Sequence, residues 1–259
     1  MKLSYLNLFD AYFFGTVPWQ IRNISGLRYL DLHDQYDECL EIENLQWLSH
    51  LSSLQYLDMG YVNLSRVAYW LQPINMIPSL FVLCLSSCDL RNSSTLLHLN
   101  LTSLTLANSR SLVTLDLKHN RLEGPILNFL CGYCNLLKLD LSSNNLMGDL
   151  NGFLKSLTKC GANNLEKHVR LASIREFYHS HNIFSGILPE SLGQLSNLVG
   201  LKMSYNSLEG AISEAHFTNL TRLEVLDMSA NSFVFNVSRH WIPPFQLKRI
   251  ALRSCQLGP

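Results

Sequence analysis

The sequence predicts a repeat solenoid of α/β type, a right-handed superhelix or horseshoe of about ten 24-residue units with a parallel β-sheet on its concave face. Three observations predict it. LVTLDLKHNRLEGPI from Leu112, LLKLDLSSNNLMGDL from Leu136 and LVGLKMSYNSLEGAI from Leu198 fit one template, LxxLxLxxNxLxGxI. The template restarts in phase, with substitutions, at Leu3, Leu27, Leu54, Leu80, Leu223 and Leu247. Leucine fills 52 of the 259 positions while charged residues make up 15%, which suffices for a continuous apolar core. A unit this short cannot bury its own apolar face, so stacking must supply the core.

Each element follows from one repeat. In LVGLKMSYN, Leu198, Leu201 and Met203 point inward and Lys202 points outward, as the two-residue period of a strand requires. Asn206 stands where the chain leaves the sheet, and its amide can serve backbone groups that the turn leaves unpaired. Asn120, Asn144, Asn182 and Asn231 are its equivalents, with Cys88 and Cys255 as a cysteine variant. Ala11, Gln35 and Val62 occupy the same slot, so the first three turns are expected to need another donor, such as water. Leu208, Gly210 and Ile212 then return the chain along the convex side, as loop, short 3-10 turns and short strands.

The phase falters in two places, at about 91–111 and 151–181. Leu80 and Leu112 are 32 residues apart, so 91–111 reads as a compressed unit. From Leu136 to Leu198 the interval is 62 residues, and the strand within it is either Val169–Leu171 or the Phe177–His179 stretch. The second register spaces Asn182, Phe184, Gly186 and Pro189 correctly and places His179 in an inward leucine slot. A bulged loop is expected over 151–173. At the N-terminus Leu3, Leu6 and Leu8 keep repeat phase and Asn7 and Asp10 interrupt any hydrophobic leader, so no signal peptide is visible. Leu247, Ile250, Leu252, Cys255 and Leu257 begin a further unit before Pro259. The expectation is a single domain over 1–259, uncapped at both ends, as a piece of a longer protein.

Composition and motifs exclude several functions. Formal charge is zero, which speaks against nucleic-acid binding, and no apolar run is long enough to span a bilayer. No nucleophile elbow, phosphate-binding glycine loop or HExxH is present, so neither catalysis nor a cofactor is expected. Asp31, Asp58, Asp116, Asp140 and Asp227 recur in one outward slot, and a structural role explains them better than paired acid chemistry. Cys131 and Cys134 form CGYC, but without further ligands packing or a local disulfide outweighs zinc; of the seven cysteines at least one must stay free or pair outside the chain. Sequons at Asn23, Asn63, Asn92, Asn100, Asn219 and Asn236 point to a secreted or luminal chain carrying N-linked glycans.

The pattern LxxLxLxxNxLxGxIP resembles the plant-specific class of leucine-rich repeat. NLQWLSHLSSLQYLDMGYVNLS (44–65), EAHFTNLTRLEVLDMS (214–229) and WIPPFQLKRIALRSCQLGP (241–259) resemble plant receptor-like protein ectodomains, in the group related to receptors for fungal ethylene-inducing xylanase. The resemblance implies plasma-membrane localisation with extracellular repeats, recognition of a protein or peptide ligand, and a partner receptor kinase in immune or developmental signalling. The binding face expected is the concave sheet, with Lys118 and His119 in the middle repeats and Tyr178, Lys202 and Tyr205 in the later ones. Two rivals remain: a secreted inhibitor of microbial hydrolases, and a truncated receptor product without independent role.

Overall fold

The computed structural model describes residues 3–34, 40–91, 111–125, 135–158 and 173–258. The chain gathers into two compact units, Met1–Glu123 and Gly124–Pro259. In the first, five three-residue strands pair in parallel and in chain order: Tyr5–Asn7, Tyr29–Asp31, Tyr56–Asp58, Val82–Cys84 and Thr114–Asp116. The second repeats the arrangement with Lys138–Asp140, Glu176–Tyr178, Gly200–Lys202, Val225–Asp227 and Arg249–Ala251. Register never slips. Leu6, Leu30, Leu57, Leu83 and Leu115 align in one unit, and Leu139, Phe177, Leu201, Leu226 and Ile250 in the other. A slip of one residue would turn the inward side chains to solvent, so burial of the middle positions from Leu30 to Leu115 and from Leu139 to Leu226 locks the pairing. The register centred on Phe177 is the one that forms, with Ile174, Phe177 and His179 all buried.

On the other side the second unit carries a parallel sheet of Asn145–Gly148, Ile183–Ile187, Ser207–Ile212, Ser232–Phe235 and Gln256–Leu257. Gly210 within it has φ +95°, a conformation that favours glycine, and a Cβ there would come 2.9 Å from Cγ2 of the exposed Ile187, which would have to shift. Short 3-10 helices follow, at Trp19–Asn23, Gln46–His50, Glu190–Gln194 and Glu214–Phe217.

The asparagines do what the turns require. Asn231 Nδ2 donates to the carbonyls of Met228 and, one repeat back, Met203, while its Oδ1 accepts from Leu208 N–H. Asn120, Asn182 and Asn206 make the same three-way bridge. Cys88 reproduces the donor half, its thiol donating to the Met59 carbonyl at 3.0 Å. The turn at Val62 needs no water for that carbonyl, since Val62 N–H donates to Met59 as well. Ala11 N–H likewise donates to Leu8, whereas Gln35 lies outside the described residues. The aspartates also serve the backbone: Oδ1 of Asp31, Asp58, Asp116, Asp140 and Asp227 each accepts the N–H two residues on.

One expectation is corrected. The bulged loop expected over 151–173 does not hold at its start, where Asn151–Thr158 is an α-helix, and 159–172 lie outside the described residues. Asp149 Oδ1 accepts the Asn151 N–H at its start, and Phe153 and Leu154 are fully buried, with Phe153 ring-to-ring on Phe177 at 5.3 Å. A capped start and a large apolar pair decide for helix here. The expected irregularity also ends early, since Glu176–Tyr178 pairs in register on both sides. The compressed unit at 91–111 falls almost wholly outside the described residues, as does the CGYC pair.

Candidate ligand-recognition face

Outward positions of the short strands form a side-chain surface set by repeat register alone. In the second unit, Tyr178 and Lys202 face each other across neighbouring strands. Lys202 Nζ lies 4.6 Å from the Tyr178 ring centroid, a cation–π contact, and Lys138 Nζ approaches the same ring at 6.0 Å. Gly200 makes the arrangement possible: a Cβ there would sit 2.7 Å from the Tyr178 hydroxyl. Burial first, and then the charges of Glu176 and Asp140, push the Tyr178 phenol up to about 12, so it stays neutral at any physiological pH. Lys138 is held by Glu176 at 3.2 Å.

Tyr205 is 47% exposed and stacks on His181, with ring centroids 4.3 Å apart and planes 12° off parallel. Both residues have φ 54°, in the left-handed region that L side chains rarely adopt. The conformation recurs immediately before the asparagine slot, at Tyr61, Ser87, His119, Ser143 and Ala230 among others, because the N–H there must reach the next repeat. Thus His181 N–H donates to Ser204 and Tyr205 N–H to Ser229.

Lys118 and His119 belong to the first unit. Lys118 Nζ lies 3.4 Å from Asp116, the last residue of the preceding strand, and His119 is exposed. Of the five residues expected on the face, Tyr178 and Lys202 make direct contact, and Tyr205 stands on the same unit stacked against His181.

A feature that the reading of the sequence missed lies in the first unit. Tyr5, Tyr29 and Tyr56 occupy the same slot in three successive repeats and stack at 4.3 and 4.2 Å, their planes within 15° and 7° of parallel. Beside them Phe9, His33 and Tyr61 form a second row at 5.2 and 5.6 Å. Tyr29 and Tyr56 donate their hydroxyls to Oδ2 of Asp31 and Asp58. The signal was visible as LSYLNL, LRYLDL and LQYLDM, with tyrosine in one phase.

His179 fills the leucine slot expected of it and is fully buried, between Phe177 at 4.6 Å and Phe184 at 5.2 Å. Neither ring nitrogen has a hydrogen-bond partner among the described residues, and burial drives its pKa down to about 3. Asn23, Asn219 and Asn236 are exposed off the strand face; Asn63 is half-buried, its Oδ1 accepting Ser65 N–H. Asn92 and Asn100 lie outside the described residues. Among the described residues no group of His, Cys, Asp or Glu could hold a metal ion, and no helix is long and apolar enough to cross a membrane.

Comparison with known proteins agrees with this architecture. The family model Leucine rich repeat matches residues 173–233, and a second, Leucine Rich Repeat, matches 111–133. Receptor-like protein EIX1 of Solanum lycopersicum is 29% identical over 388 aligned residues that take in 100% of this chain and 37% of the relative. Receptor-like protein 35 of Arabidopsis thaliana is 29% identical, over 68% of this chain and 20% of its own length. The chain therefore spans little more than a third of the first relative and a fifth of the second. Among solved structures, the ectodomain of the Arabidopsis receptor kinase HAESA, in complex with an IDA peptide hormone ligand, superposes with a TM-score of 0.67 at 19% identity, over 94% of this chain and 40% of that one. The chain thus carries segments matched by leucine-rich-repeat models and is similar to plant receptor-like proteins.

Proposed function

We propose that this chain is an extracellular recognition module of a plant cell-surface receptor-like protein, binding a protein or peptide ligand without catalysis. The strand face is its binding surface, and a partner receptor kinase carries the signal inward. One observation bears most of the weight: Tyr178 and Tyr205, of a residue type enriched at binding hot spots, stand outward with Lys202 on strands and turns held by an unbroken register. The HAESA ectodomain, which binds a peptide, supports the reading by its shared fold. The sequons are proposed to carry N-linked glycans in the secreted protein. The exposed positions Asn23, Asn219 and Asn236 leave the strand rows clear.

The test is to express the 259-residue chain in plant cells behind a secretion leader. It is then screened against secreted microbial proteins, a fungal xylanase among them, and plant peptide hormones. The reading expects a mass shift on removal of N-glycans and saturable binding to at least one ligand. A correctly folded chain that takes no glycan and binds no member of the panel would sink it.

A further inference from the structure

We propose that the second parallel sheet of the second unit is a docking surface for an amphipathic helix of a partner protein. That helix would carry aliphatic side chains on one face and lysine or arginine along its borders. Counting from the turn asparagine, the first, third and fifth residues of this sheet face outward, while the second and sixth, such as Leu146, Phe184 and Leu188, are buried. Ile183 holds the first position, where the other asparagine repeats carry Arg121, Asn145, Ser207 and Ser232. Met147 holds the third, shared with Glu123, Ser185, Glu209 and Val234. Ile187 holds the fifth, shared with Pro125, Asp149, Ala211 and Asn236. Among these siblings only Val234 is a branched aliphatic, and it is half-buried. The three exceptions lie together. Met147 is the strand partner of Ile183, Ile187 stands on the same strand, and they are 46%, 48% and 66% exposed. Core packing accounts for none of them, because an outward position has no core to fill.

The charges around these side chains choose the partner. Glu209 is the strand partner of Ile187, Asp149 Cβ stands 3.6 Å from where a Cβ on Gly186 would be, and Glu190 follows Ile187 by three residues. All three acids are exposed, and Glu190 and Glu209 make no ion pair among the described residues. None of the five strands of this sheet carries lysine or arginine. An aliphatic stripe with an acidic border is complementary to one with a cationic border. The exposed surface is a sheet face, whose backbone groups pair within the sheet, so an extended segment lying on it gains no ladder bonds. A helix brings its own backbone bonds. Ile183 and Ile187 stand about 13 Å apart along the strand. Positions i and i+8 of a helix are about 12 Å apart, so one helical stripe reaches both.

Fluorescence anisotropy of a labelled model helix, leucine on one face and lysine on the other, tests the surface on the full chain. A counterpart with glutamate in place of lysine is the control. Wild type is expected to bind the leucine–lysine helix and not the leucine–glutamate one. Ile183→Ser with Ile187→Ala installs residues that Ser207 and Ala211 already place in the same positions. It is expected to weaken binding about tenfold or more, because two aliphatic contacts go unmade. Glu190→Gln with Glu209→Gln is expected to weaken it a few-fold and to flatten its dependence on salt. All four positions are exposed, so thermal midpoints should stay within about 2 °C of wild type. Lys202→Ala with Tyr205→Ala should leave helix binding unchanged, which separates this surface from the strand face. No binding of the leucine–lysine helix to wild type, unchanged affinity in the isoleucine variant, or loss in the glutamate variant alone overturns the proposal. So does a wild type that self-associates through the isoleucines and takes no helix, since the occupant is then a second copy of this chain.

Discussion

His179 shows how a single slot records both repeat phase and its violation. The repeat demands an apolar side chain, and the histidine meets the demand by remaining neutral between two phenylalanines. Its folded pKa lies below that of the unfolded chain, so the sign is fixed: above about pH 6.5 the group contributes no pH dependence, and below it the unfolded state binds the proton that the folded state refuses. Wild type should lose stability relative to His179→Leu by about 1.4 kcal/mol per pH unit as pH falls from 6.5 towards 4. Urea unfolding of both proteins at pH 7, 5.5 and 4.5 measures the gap, and parallel stabilities would refute the assignment. At pH 7 the leucine variant should already gain about 1–3 kcal/mol, since two unpartnered nitrogens leave the core. Gly200 makes a second prediction at this scale. Gly200→Val should cost about 1–3 kcal/mol by driving Tyr178 from its place, and should abolish any quenching of tyrosine fluorescence that depends on Lys202.

At the scale of the element, the turn asparagine joins one repeat to the preceding one. Asn231→Ala removes a bridge between the carbonyls of Met228 and Met203 and the N–H of Leu208. It should lower the unfolding free energy by about 2–3 kcal/mol, as expected when buried backbone groups lose partners. Asn231→Cys should cost less, because Cys88 shows a thiol supplying the donor half of the bridge. Chemical denaturation of the two variants ranks them, and equal costs would mean that the amide's donor contributes nothing. Strands, turns and the choice of register were legible because they depend on the phase of apolar residues and asparagine. Phe177, buried in the leucine position, and Asn182, bridging to Leu141, settled the ambiguous unit as their spacing foretold. The Asn151–Thr158 helix was not legible in that way. Phase says nothing about a segment between repeats, and the contacts that hold this one, Asp149 on its first N–H and Phe153 on Phe177, lie outside the repeat template.

At the scale of the whole molecule, function in such an array follows from what faces outward, and core phase constrains those residues least. Tyr178 and Lys202 could be placed on adjacent strands from the sequence, but the cation–π contact and the Gly200 gap depend on side-chain geometry across the strand. The tyrosine row needed only comparison of slots between units, a periodicity along the stack in place of one along the chain. Amide exchange should grade within the second unit. Val225–Asp227, centred on a buried Leu226, should exchange more slowly than Arg249–Ala251, whose Ile250 is 56% exposed. Exchange mass spectrometry reads this directly, and uniform protection would contradict the burial gradient.

The most direct test of the account is the affinity of any ligand that binds the secreted chain for Lys202→Ala with Tyr205→Ala. Both side chains stand on the strand face and neither belongs to the core. The account predicts at least a tenfold loss of affinity, with a thermal midpoint within about 2 °C of wild type. Unchanged affinity in a folded double variant would contradict it and move recognition off this face.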